Sequence, residues 1–254
     1  MPGPIQSIER AAAILRLLAR GSGRLGVGDI AAALDLAKPT AHGILRTLQG
    51  VGFVEQEAAT GKYRLGAAVR QLGTVGIDAN ELRSWAINWA DSLASRSGEE
   101  VRVGVWTDGG VLVVHHVFRP DNSEQALQVG ERLPPHATAL GKVLLAAEPD
   151  LAHAVRRGDL TSLTHRTLTD RAALTRTLTE VRRNGWAGSV EEFRPGEAGI
   201  AAPIRAHGGL VIGAIGIAGP VDRVCGPQLR HRPPLIALVR DAAHAISRDL
   251  AAGH

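Results

Sequence analysis

Hydrogen-bond donors lie on one side of a short apolar repeat in residues 38–48. Apolar residues recur there at helical spacing and predict a helix with one buried face. On the opposite face, the Arg46 guanidinium can form a bidentate pair with guanine O6 and N7, and His42 lies one turn earlier. Lys38 and Thr40, near the helix start, are better placed for phosphate. The residues of this stretch that we assign to nucleic-acid contact are Lys38, Pro39, Thr40, His42, Gly43 and Arg46.

A second helix is predicted just before this one. In residues 26–34 the apolar positions again have helical spacing, and Asp29 lies in the opening turn, where a negative charge suits the helix dipole. Residues 35–37 interrupt the pattern, and Pro39 is tolerated in a first helical turn but not in a helix interior. Two short helices joined by a tight turn are typical of a helix-turn-helix, which inserts its second helix into the DNA major groove.

Two strand-like runs follow the predicted helix-turn-helix. Residues 52–56 and 62–65 flank a turn and predict a β-hairpin, which at this position would be the wing of a winged helix. The hairpin would bring Lys62 and Arg64 close to the phosphate backbone. The alternative interpretation is a solvated helical hairpin followed by an ordinary β-hairpin.

The charge of the chain is unevenly distributed. Residues 1–72 contain nine Lys and Arg against five Asp and Glu, whereas the remaining 20 basic and 20 acidic residues cancel. The whole net charge of +4 therefore lies in the segment with the predicted helix-turn-helix, as an electrostatic footprint for DNA requires. The excess is small, which indicates that one such module needs a second copy to bind DNA tightly.

Composition indicates a protein of about two domains with aliphatic cores. Of the 254 residues 44% are hydrophobic but only 3% are aromatic, which disfavours base-stacking platforms for single strands. Cys225 is the only cysteine, so no disulfide can form within the chain. The first residues contain no long apolar run, and we therefore expect a cytoplasmic protein with no signal peptide and no membrane anchor.

A second candidate site begins at residue 137. Small residues at a predicted helix start expose backbone N–H groups that attract carboxylate or phosphate oxygens, and the Thr138 hydroxyl adds a further donor. The alternative interpretation is a plain helix cap. The residues assigned to this anion site are Ala137, Thr138, Ala139, Leu140 and Gly141.

Three further groups of reactive residues carry no predicted chemistry. His115 and His116 are adjacent on a predicted strand and point to opposite faces, so they cannot readily share one metal ion. The same alternation separates Glu191 from Glu192, and no nucleophile motif lies near them. Cys225 is expected to be inert. We therefore expect no metal, no cofactor and no catalytic activity.

Beyond residue 98, strands with helices between them and a closing helix predict an α+β domain with a largely antiparallel sheet. We assign residues 1–72 to the DNA-binding domain, 73–98 to linker helices and 99–254 to the domain with the anion site. Predicted helices cover residues 5–20, 65–77, 81–96, 170–184 and 234–250, and predicted strands cover residues 101–106, 111–117, 127–130, 187–190, 199–204 and 211–217.

Long motifs throughout the chain resemble the IclR family of bacterial transcriptional regulators. They are IQSIERAAAILRLLA, GVGDIAAALDLAKPTAHGILRTL, LPPHATALGKVLLA and the run from EEFRPGEAGIAAPI to GAIGIAGPV, so the resemblance extends essentially from end to end. Within the family the chain is similar to regulators of glycerol operons, at AKPTAHGILRTLQ, GVLVVHHVFRPD and VRDAAHAISRDL.

The resemblance implies a winged helix-turn-helix domain and a C-terminal effector-binding domain of GAF/PAS-like shape. In the family, small organic acids or related metabolites bind the C-terminal domain and alter operator binding. The resemblance also implies dimers through the N-terminal region, commonly paired into tetramers. Many relatives carry arginine where this chain has Gly43, so one expected DNA contact is absent here.

The far side of the effector pocket is also implied by the resemblance. It falls on Gly199, Ile200, Gly216 and Ala218. Relatives that bind small keto acids often place cysteine or serine at the positions of Gly199, Gly216 and Ala218, where this chain has only hydrogens and a methyl group. We therefore expect a roomier pocket with fewer side-chain donors, which suits a larger polyol phosphate such as glycerol 3-phosphate.

The resulting hypothesis is a DNA-binding transcriptional regulator, expected to be a repressor of a carbon-utilisation operon, with glycerol catabolism favoured by the resemblance. Its partners would be double-stranded operator DNA, a small anionic effector and further copies of the chain in a homodimer or homotetramer, with no membrane. Two alternatives stay open. One is an activator of the same family that responds to another organic acid, and the other is an enzyme that acts on a small metabolite.

We predict that the protein binds a pseudo-palindromic operator as a dimer or tetramer. One recognition helix with so small a charge excess is a weak specific binder, whereas paired copies reach half-sites one helical turn apart, ~34 Å, or a multiple of that distance. Size-exclusion chromatography with light scattering measures the mass of the protein, free and on DNA. A monomer in both conditions contradicts the prediction.

Overall fold

The computed structural model describes residues 5–19, 24–58, 60–66, 68–69, 79–107, 110–121 and 123–252. The chain divides into two compact units, Met1–Ile77 and Asp78–His254. Each unit has its own apolar core, and each is described by itself.

The first unit is a three-helix core followed by a short hairpin. Its elements are α1 (Gln6–Ala19), α2 (Val27–Ala33), α3 (Lys38–Gly50), β1 (Val54–Gln56) and β2 (Tyr63–Leu65). The amphipathic helices turn their apolar stripes inward, and the strands close the core. The core residues are Ile14, Leu18, Ile30, Leu45, Leu48, Val54 and Tyr63. The predicted helix-turn-helix with a wing is confirmed.

Local hydrogen bonds close the turn between α2 and α3. The Asp29 carboxylate accepts from the Gly26 N–H at 3.0 Å and so caps α2. Asp35 has a left-handed backbone with φ of 50°, which Asp adopts more readily than most residues. The Leu36 N–H then donates to the Ala31 carbonyl at 2.9 Å. The chain therefore reverses quickly enough for α3 to begin at residue 38.

The wing is an antiparallel hairpin in which Glu55 lies opposite Arg64. Leu25 joins it from the other side, because Leu25 and Tyr63 exchange backbone hydrogen bonds of 3.1 and 2.8 Å. The helix predicted for residues 65–77 lies mostly outside the described residues.

The second unit is built on a six-stranded sheet. Its strands are β3 (Glu100–Thr107), β4 (Gly110–Val117), β5 (Arg132–Leu133), β6 (Ala187–Val190), β7 (Glu197–Arg205) and β8 (Val211–Pro220). They are arranged in the order β5-β4-β3-β8-β7-β6, and every neighbouring pair is antiparallel. The predicted α+β class with an antiparallel sheet is confirmed. The strand expected at residues 127–130 does not form, because Gly130 turns with φ of 89° and strand pairing begins only at β5.

Helices cover both faces of this sheet. They are α4 (Ala79–Ser97), α5 (Ala139–Ala147), α6 (Pro149–Arg157), α7 (Arg171–Asn184), α8 (Val221–Val224) and α9 (Pro233–Ala252). Helices α5 and α7 pack on the face with Ala201 and Ala214. Ile200 and Ile215 point to the other face and are also fully buried, because α4 and α9 pack there. Among the described helices, none combines the length and the apolar character that a membrane span requires.

Helix α4 packs within the second unit, although the sequence placed it in a linker of residues 73–98. It contacts β3, β4 and α9, and the Trp89 indole donates to the Asp249 carboxylate of α9 at 2.8 Å. Residues 70–78 are outside the described residues, so the position of the domain boundary stays a prediction.

A buried lysine anchors helix α5. The Lys142 ammonium lies 2.5 Å from a Glu192 carboxylate oxygen and donates to the Gly188 carbonyl at 3.0 Å, and the side chain is 2% exposed. Burial lowers the pKa of Lys142 and raises the pKa of Glu192, while the charge of each partner opposes the shift. One ion pair therefore ties the start of α5 to β6 and to the chain that follows β6.

We predict that Lys142→Met destabilises the second unit by about 3–5 kcal/mol, because it leaves the Glu192 carboxylate buried without its cation. The double variant Lys142→Met/Glu192→Leu removes both charges and should recover most of the loss. All four tryptophans lie in this unit, so urea unfolding followed by tryptophan fluorescence reports its stability. As a control, Arg176→Met breaks an exposed pair with Asp170 and should cost under about 1 kcal/mol. Equal losses of stability in Lys142→Met and Arg176→Met contradict the prediction.

Candidate functional site: a nucleic-acid interface and a ligand cavity

Helix α3 presents the predicted DNA contacts on its outer face. Ala41, Leu45 and Leu48 are buried, so the rest of the helix surface is turned away from the core. Among the assigned residues only Thr40 is half-buried. The exposed ones are Lys38, Pro39, His42, Gly43 and Arg46. The helix therefore has the geometry of a recognition helix, with Arg46 at the centre of the available face.

Gly43 is not required by the fold. A Cβ built on it would meet no heavy atom within 4 Å, and the position is helical, so a larger side chain fits. Glycine inside a helix lowers its stability by about 1 kcal/mol relative to alanine. The fold does not require glycine here, so the lack of an arginine at position 43 affects only the exposed face of α3.

The two basic residues predicted on the wing differ in their surroundings. The Arg64 guanidinium lies 2.7 and 3.1 Å from one Glu55 carboxylate oxygen across the hairpin. Lys62, at the turn, is exposed. A hydrogen bond from Thr60 lowers the pKa of Glu57, which adds a further negative charge to the turn. Arg64 would have to leave Glu55 to bind phosphate, so Lys62 is the better placed of the two.

A closed cavity lies between the start of α5 and the sheet. Its volume is about 20 Å³, which is room for about one water molecule. Every residue predicted for the effector pocket lines it except Ala137 and Gly141. Three polar residues that were not predicted also line it, and they are Arg102, Ser189 and Glu197.

The start of α5 is partly capped from within. The Thr138 hydroxyl accepts from the Gly141 N–H at 3.3 Å and donates to the Pro134 carbonyl at 2.9 Å. Gly141 is in close contact with Pro135, since a Cβ on it would lie 2.3 Å from the Pro135 carbonyl oxygen. Ala137 is fully buried. These contacts fit the alternative interpretation, in which Ala137, Thr138 and Gly141 build a helix cap.

Two other backbone N–H groups at the start of α5 are not engaged by these cap contacts. The N–H groups of Ala139 and Leu140 belong to the first turn of α5 and have no intrahelical acceptor. Both residues line the cavity. The helix start can therefore offer two N–H groups and the positive end of its dipole to an anion.

The far wall of the cavity is formed by β7 and β8. Gly199 lies opposite Ala218 in the sheet. A Cβ on Gly216 would lie 2.4 Å from the Ile200 carbonyl oxygen, so glycine is needed there for strand packing. A Cβ on Gly199 would lie 3.2 Å from the Ile217 carbonyl oxygen, which is tight but less prohibitive. Ile200 alternates with Gly199, and its side chain therefore points to the opposite face of the sheet.

The expectation of a roomy pocket with few side-chain donors is wrong for this structure. Arg102, which lies opposite Gly216 in the sheet, and Glu197 both line the cavity, and the volume left is only about 20 Å³. Neither residue was predicted for the site. A charged residue inside the predicted strand at residues 101–106 was a usable signal, because a buried charge needs a partner. The sequence did not indicate which partner.

The Arg102 guanidinium fixes a positive charge beside the cavity. Its Nη2 donates to Glu100 and, at 3.2 Å, to Glu197, and its side chain is 5% exposed. Burial by itself lowers the pKa of Arg102, but Glu197 and Glu100 more than offset this effect and raise it. Burial likewise raises the pKa of Glu100, but the hydrogen bond with His116 and the charge of Arg102 outweigh it and lower the pKa. Both pKa shifts favour the ionised forms of Arg102 and Glu100.

The paired histidines and glutamates have separate environments. His116 Nε2 lies 3.4 Å from a Glu100 oxygen, whereas His115 points to the other face, where burial lowers its pKa. Glu192 binds Lys142, while Glu191 accepts from a backbone N–H. Within the described parts of the chain, no three His, Cys, Asp or Glu side chains are grouped so that they could hold a metal ion.

We predict that Arg46→Ala lowers operator affinity by roughly 1–3 kcal/mol and relaxes sequence choice, because an exposed guanidinium on α3 reads base edges. Lys62→Ala should weaken binding to all duplexes about equally and lower the salt slope by about 1 per site. Fluorescence anisotropy with operator and random duplexes at several salt concentrations measures both effects. Arg176→Ala, on the exposed face of α7, is the charge-matched control. If Arg46→Ala binds operator as well as the parent does, α3 is not the recognition helix.

Comparison with known proteins agrees with this division into two units. Residues 7–58 match the IclR helix-turn-helix domain, and residues 75–248 match the family described as bacterial transcriptional regulator IclR C-terminal. The glycerol operon regulatory proteins of Streptomyces griseus and Streptomyces coelicolor are each 52% identical to this chain over 249 residues, 98% of both chains. The crystal structure of an IclR homologue from Microbacterium hydrocarbonoxydans, complexed with 4-hydroxybenzoate, is similar with a TM-score of 0.61 and 28% identity, covering 96% of this chain and 99% of that one. This chain therefore belongs to the IclR family of DNA-binding transcriptional regulators.

Proposed function

We propose that this chain regulates a glycerol-catabolism operon as a repressor, and that a small anionic metabolite bound in the second unit releases it from DNA. The similarity over nearly the full length to two glycerol operon regulatory proteins supports the choice of operon. One observation carries the class of ligand: the N–H groups at the start of α5 and the Arg102 guanidinium line the same cavity.

The charge of these groups favours an anion. Helix-start N–H groups and a guanidinium both bind carboxylate and phosphate oxygens, and a phosphate monoester carries close to two charges at neutral pH. Glycerol 3-phosphate combines such a group with a short polyol, whereas glycerol has no charge to offer. The 4-hydroxybenzoate in the Microbacterium homologue is also an anion, with a carboxylate.

Binding of such a ligand requires a different state of the second unit. A cavity of about 20 Å³ admits about one water molecule, so glycerol 3-phosphate must select a state in which the cavity is open. A ligand shifts an equilibrium only by its differential affinity for two states. Here the difference arises because the ligand fits the open cavity and not the closed one. The closed state would then be the one that binds the operator.

The DNA-binding role determines the proposed assembly and location. The protein would bind double-stranded operator DNA in the bacterial cytoplasm as a homodimer or homotetramer, with α3 of each paired copy in one half-site. An activator would bind DNA through the same contacts but would raise transcription instead of lowering it. Transcription from the operator in vitro distinguishes the two, since release of a repressor by the ligand raises the transcript level.

We predict that glycerol 3-phosphate lowers operator affinity about 5–150-fold, the usual range of such couplings, and that glycerol has a much smaller effect. Fluorescence anisotropy of labelled operator, with and without each compound, measures the ratio of the two dissociation constants. If glycerol 3-phosphate leaves this ratio at one while another organic acid changes it, the polyol-phosphate assignment fails.

A substitution in the cavity tests its location. Ala218→Val adds two methyl groups to the far wall and should reduce the ratio towards one, because they occupy space that the ligand needs. Ala172→Val adds the same volume on the exposed face of α7 and is the matched control. Gly216 is unsuitable for this purpose, since any side chain there would overlap β7. An unchanged response in Ala218→Val places the ligand elsewhere.

A further inference from the structure

The Nε of Arg102 is a buried hydrogen-bond donor with no acceptor among the described residues. The Nη2 of the same guanidinium serves two carboxylates, Glu100 and Glu197. A buried guanidinium with an unused donor at a cavity wall can bind a further oxygen at little cost, since it has five donors in a planar fork.

Arg102 and Glu197 separate the closed cavity from an outer cleft. Both residues line the cavity, and both also line a surface cleft of about 390 Å³ on the other side. The cleft contains Arg194, whose Nη1 lies 3.8 Å from a Glu197 oxygen. The Glu197 side chain is 23% exposed and Arg102 only 5%, so Glu197 is the partner with room to move. Arg194 also donates to Glu131 at 2.8 Å through Nη2, so its Nη1 is the group that can hold the Glu197 carboxylate more closely.

We infer that the effector binds by exchange: its anionic group replaces the Glu197 carboxylate on Arg102, and Glu197 moves to Arg194. This inference rests on the proposed effector function of the cavity. The anion then lies between the Arg102 guanidinium and the N–H groups of Ala139 and Leu140. Movement of Glu197 removes one wall of the cavity and joins it to the cleft, which supplies the missing volume.

The exchange leaves no buried charge without a partner. Arg102 keeps Glu100 and gains the ligand, while Glu197 keeps the ion pair that it already makes with Arg194, so the number of ion pairs is unchanged. Breaking the Arg102–Glu197 pair without a replacement would be costly, because the buried Arg102 guanidinium would lose one of its two carboxylate partners. A phosphate monoester with nearly two charges competes with a carboxylate for the guanidinium, and a neutral polyol does not. The cluster therefore selects phosphorylated over unphosphorylated ligands.

The decisive experiment removes the competing carboxylate. Glu197→Gln should bind glycerol 3-phosphate roughly 10–100-fold more tightly than the parent, the scale of one charge-assisted hydrogen bond, because the ligand no longer displaces an anion. Isothermal titration calorimetry measures both dissociation constants. Glu180→Gln makes the same change in net charge at an exposed position of α7 and should leave the dissociation constant unchanged. A purely structural Arg102–Glu197 pair predicts equal or weaker binding in Glu197→Gln and so overturns the inference.

A double variant tests the role of Arg102. It removes the Glu197 charge together with the Arg102 charge, so that no Glu197 carboxylate is left without its cation. Arg102→Gln/Glu197→Gln should lose the tighter binding of Glu197→Gln and bind at least about tenfold more weakly than it. Thermal unfolding followed by tryptophan fluorescence first establishes that the second unit is folded. Equal ligand affinity in the double variant and in Glu197→Gln overturns the role of Arg102.

The outcomes separate this inference from the proposed function. If glycerol 3-phosphate binds the parent and releases operator but neither variant changes its dissociation constant, the exchange is wrong and the proposed function stands. If glycerol 3-phosphate does not bind but glycerate or inorganic phosphate binds more tightly to Glu197→Gln than to the parent, the exchange stands and the glycerol 3-phosphate assignment fails. If none of these anions binds either protein, the exchange is overturned.

Discussion

A charge inside a protein must be compensated, and this constraint determines how the second unit is held together around its cavity. The unit buries two cations, Lys142 on α5 and Arg102 on β3. Lys142 reaches Glu192 beyond β6, and Arg102 reaches Glu197 on β7. Because a buried charge is costly without a partner, these pairs tie α5 to the chain beyond β6 and tie β3 to β7. Residues of α5, β3 and β7 line the cavity, so both ion pairs join elements that form its walls.

Local sequence patterns predicted the first unit well and the second only in part. The stripe of α3 follows from apolar spacing alone, since one helix face is enough to bury Leu45 and Leu48. The small residues at the start of α5 were predicted from the sequence pattern, whereas those of the far wall were found by resemblance. The charged pairs were missed because Arg102–Glu197 and Lys142–Glu192 join residues that are far apart in sequence and adjacent only after the sheet has formed. Periodicity carries no information about such pairs.

The first unit explains why a modest basic excess can still be specific. Part of its positive charge is already neutralised, since Arg64 binds Glu55 and Arg24 lies 3.2 Å from Glu57. Non-specific affinity for DNA increases with the number of phosphates that a protein neutralises. A wing with few available cations would keep that contribution small, so the predicted base contacts from α3 would form a larger share of the binding energy. The proposed pairing of copies would then restore affinity without adding charge to each one.

The closed cavity also limits how the ligand can act. When only an open state binds, the observed dissociation constant equals the intrinsic one divided by the fraction of open molecules. Under the proposed exchange, the fraction of open molecules would depend on how readily Glu197 leaves Arg102, and this in turn would depend on the second cation, Arg194. The competition between Arg102 and Arg194 for the Glu197 carboxylate would therefore determine the affinity for the ligand. It would also determine how far the ligand can shift the protein from its DNA-binding state. Since both properties would depend on one equilibrium, a change that favours the open state would raise ligand affinity and weaken operator binding by the ligand-free protein at the same time.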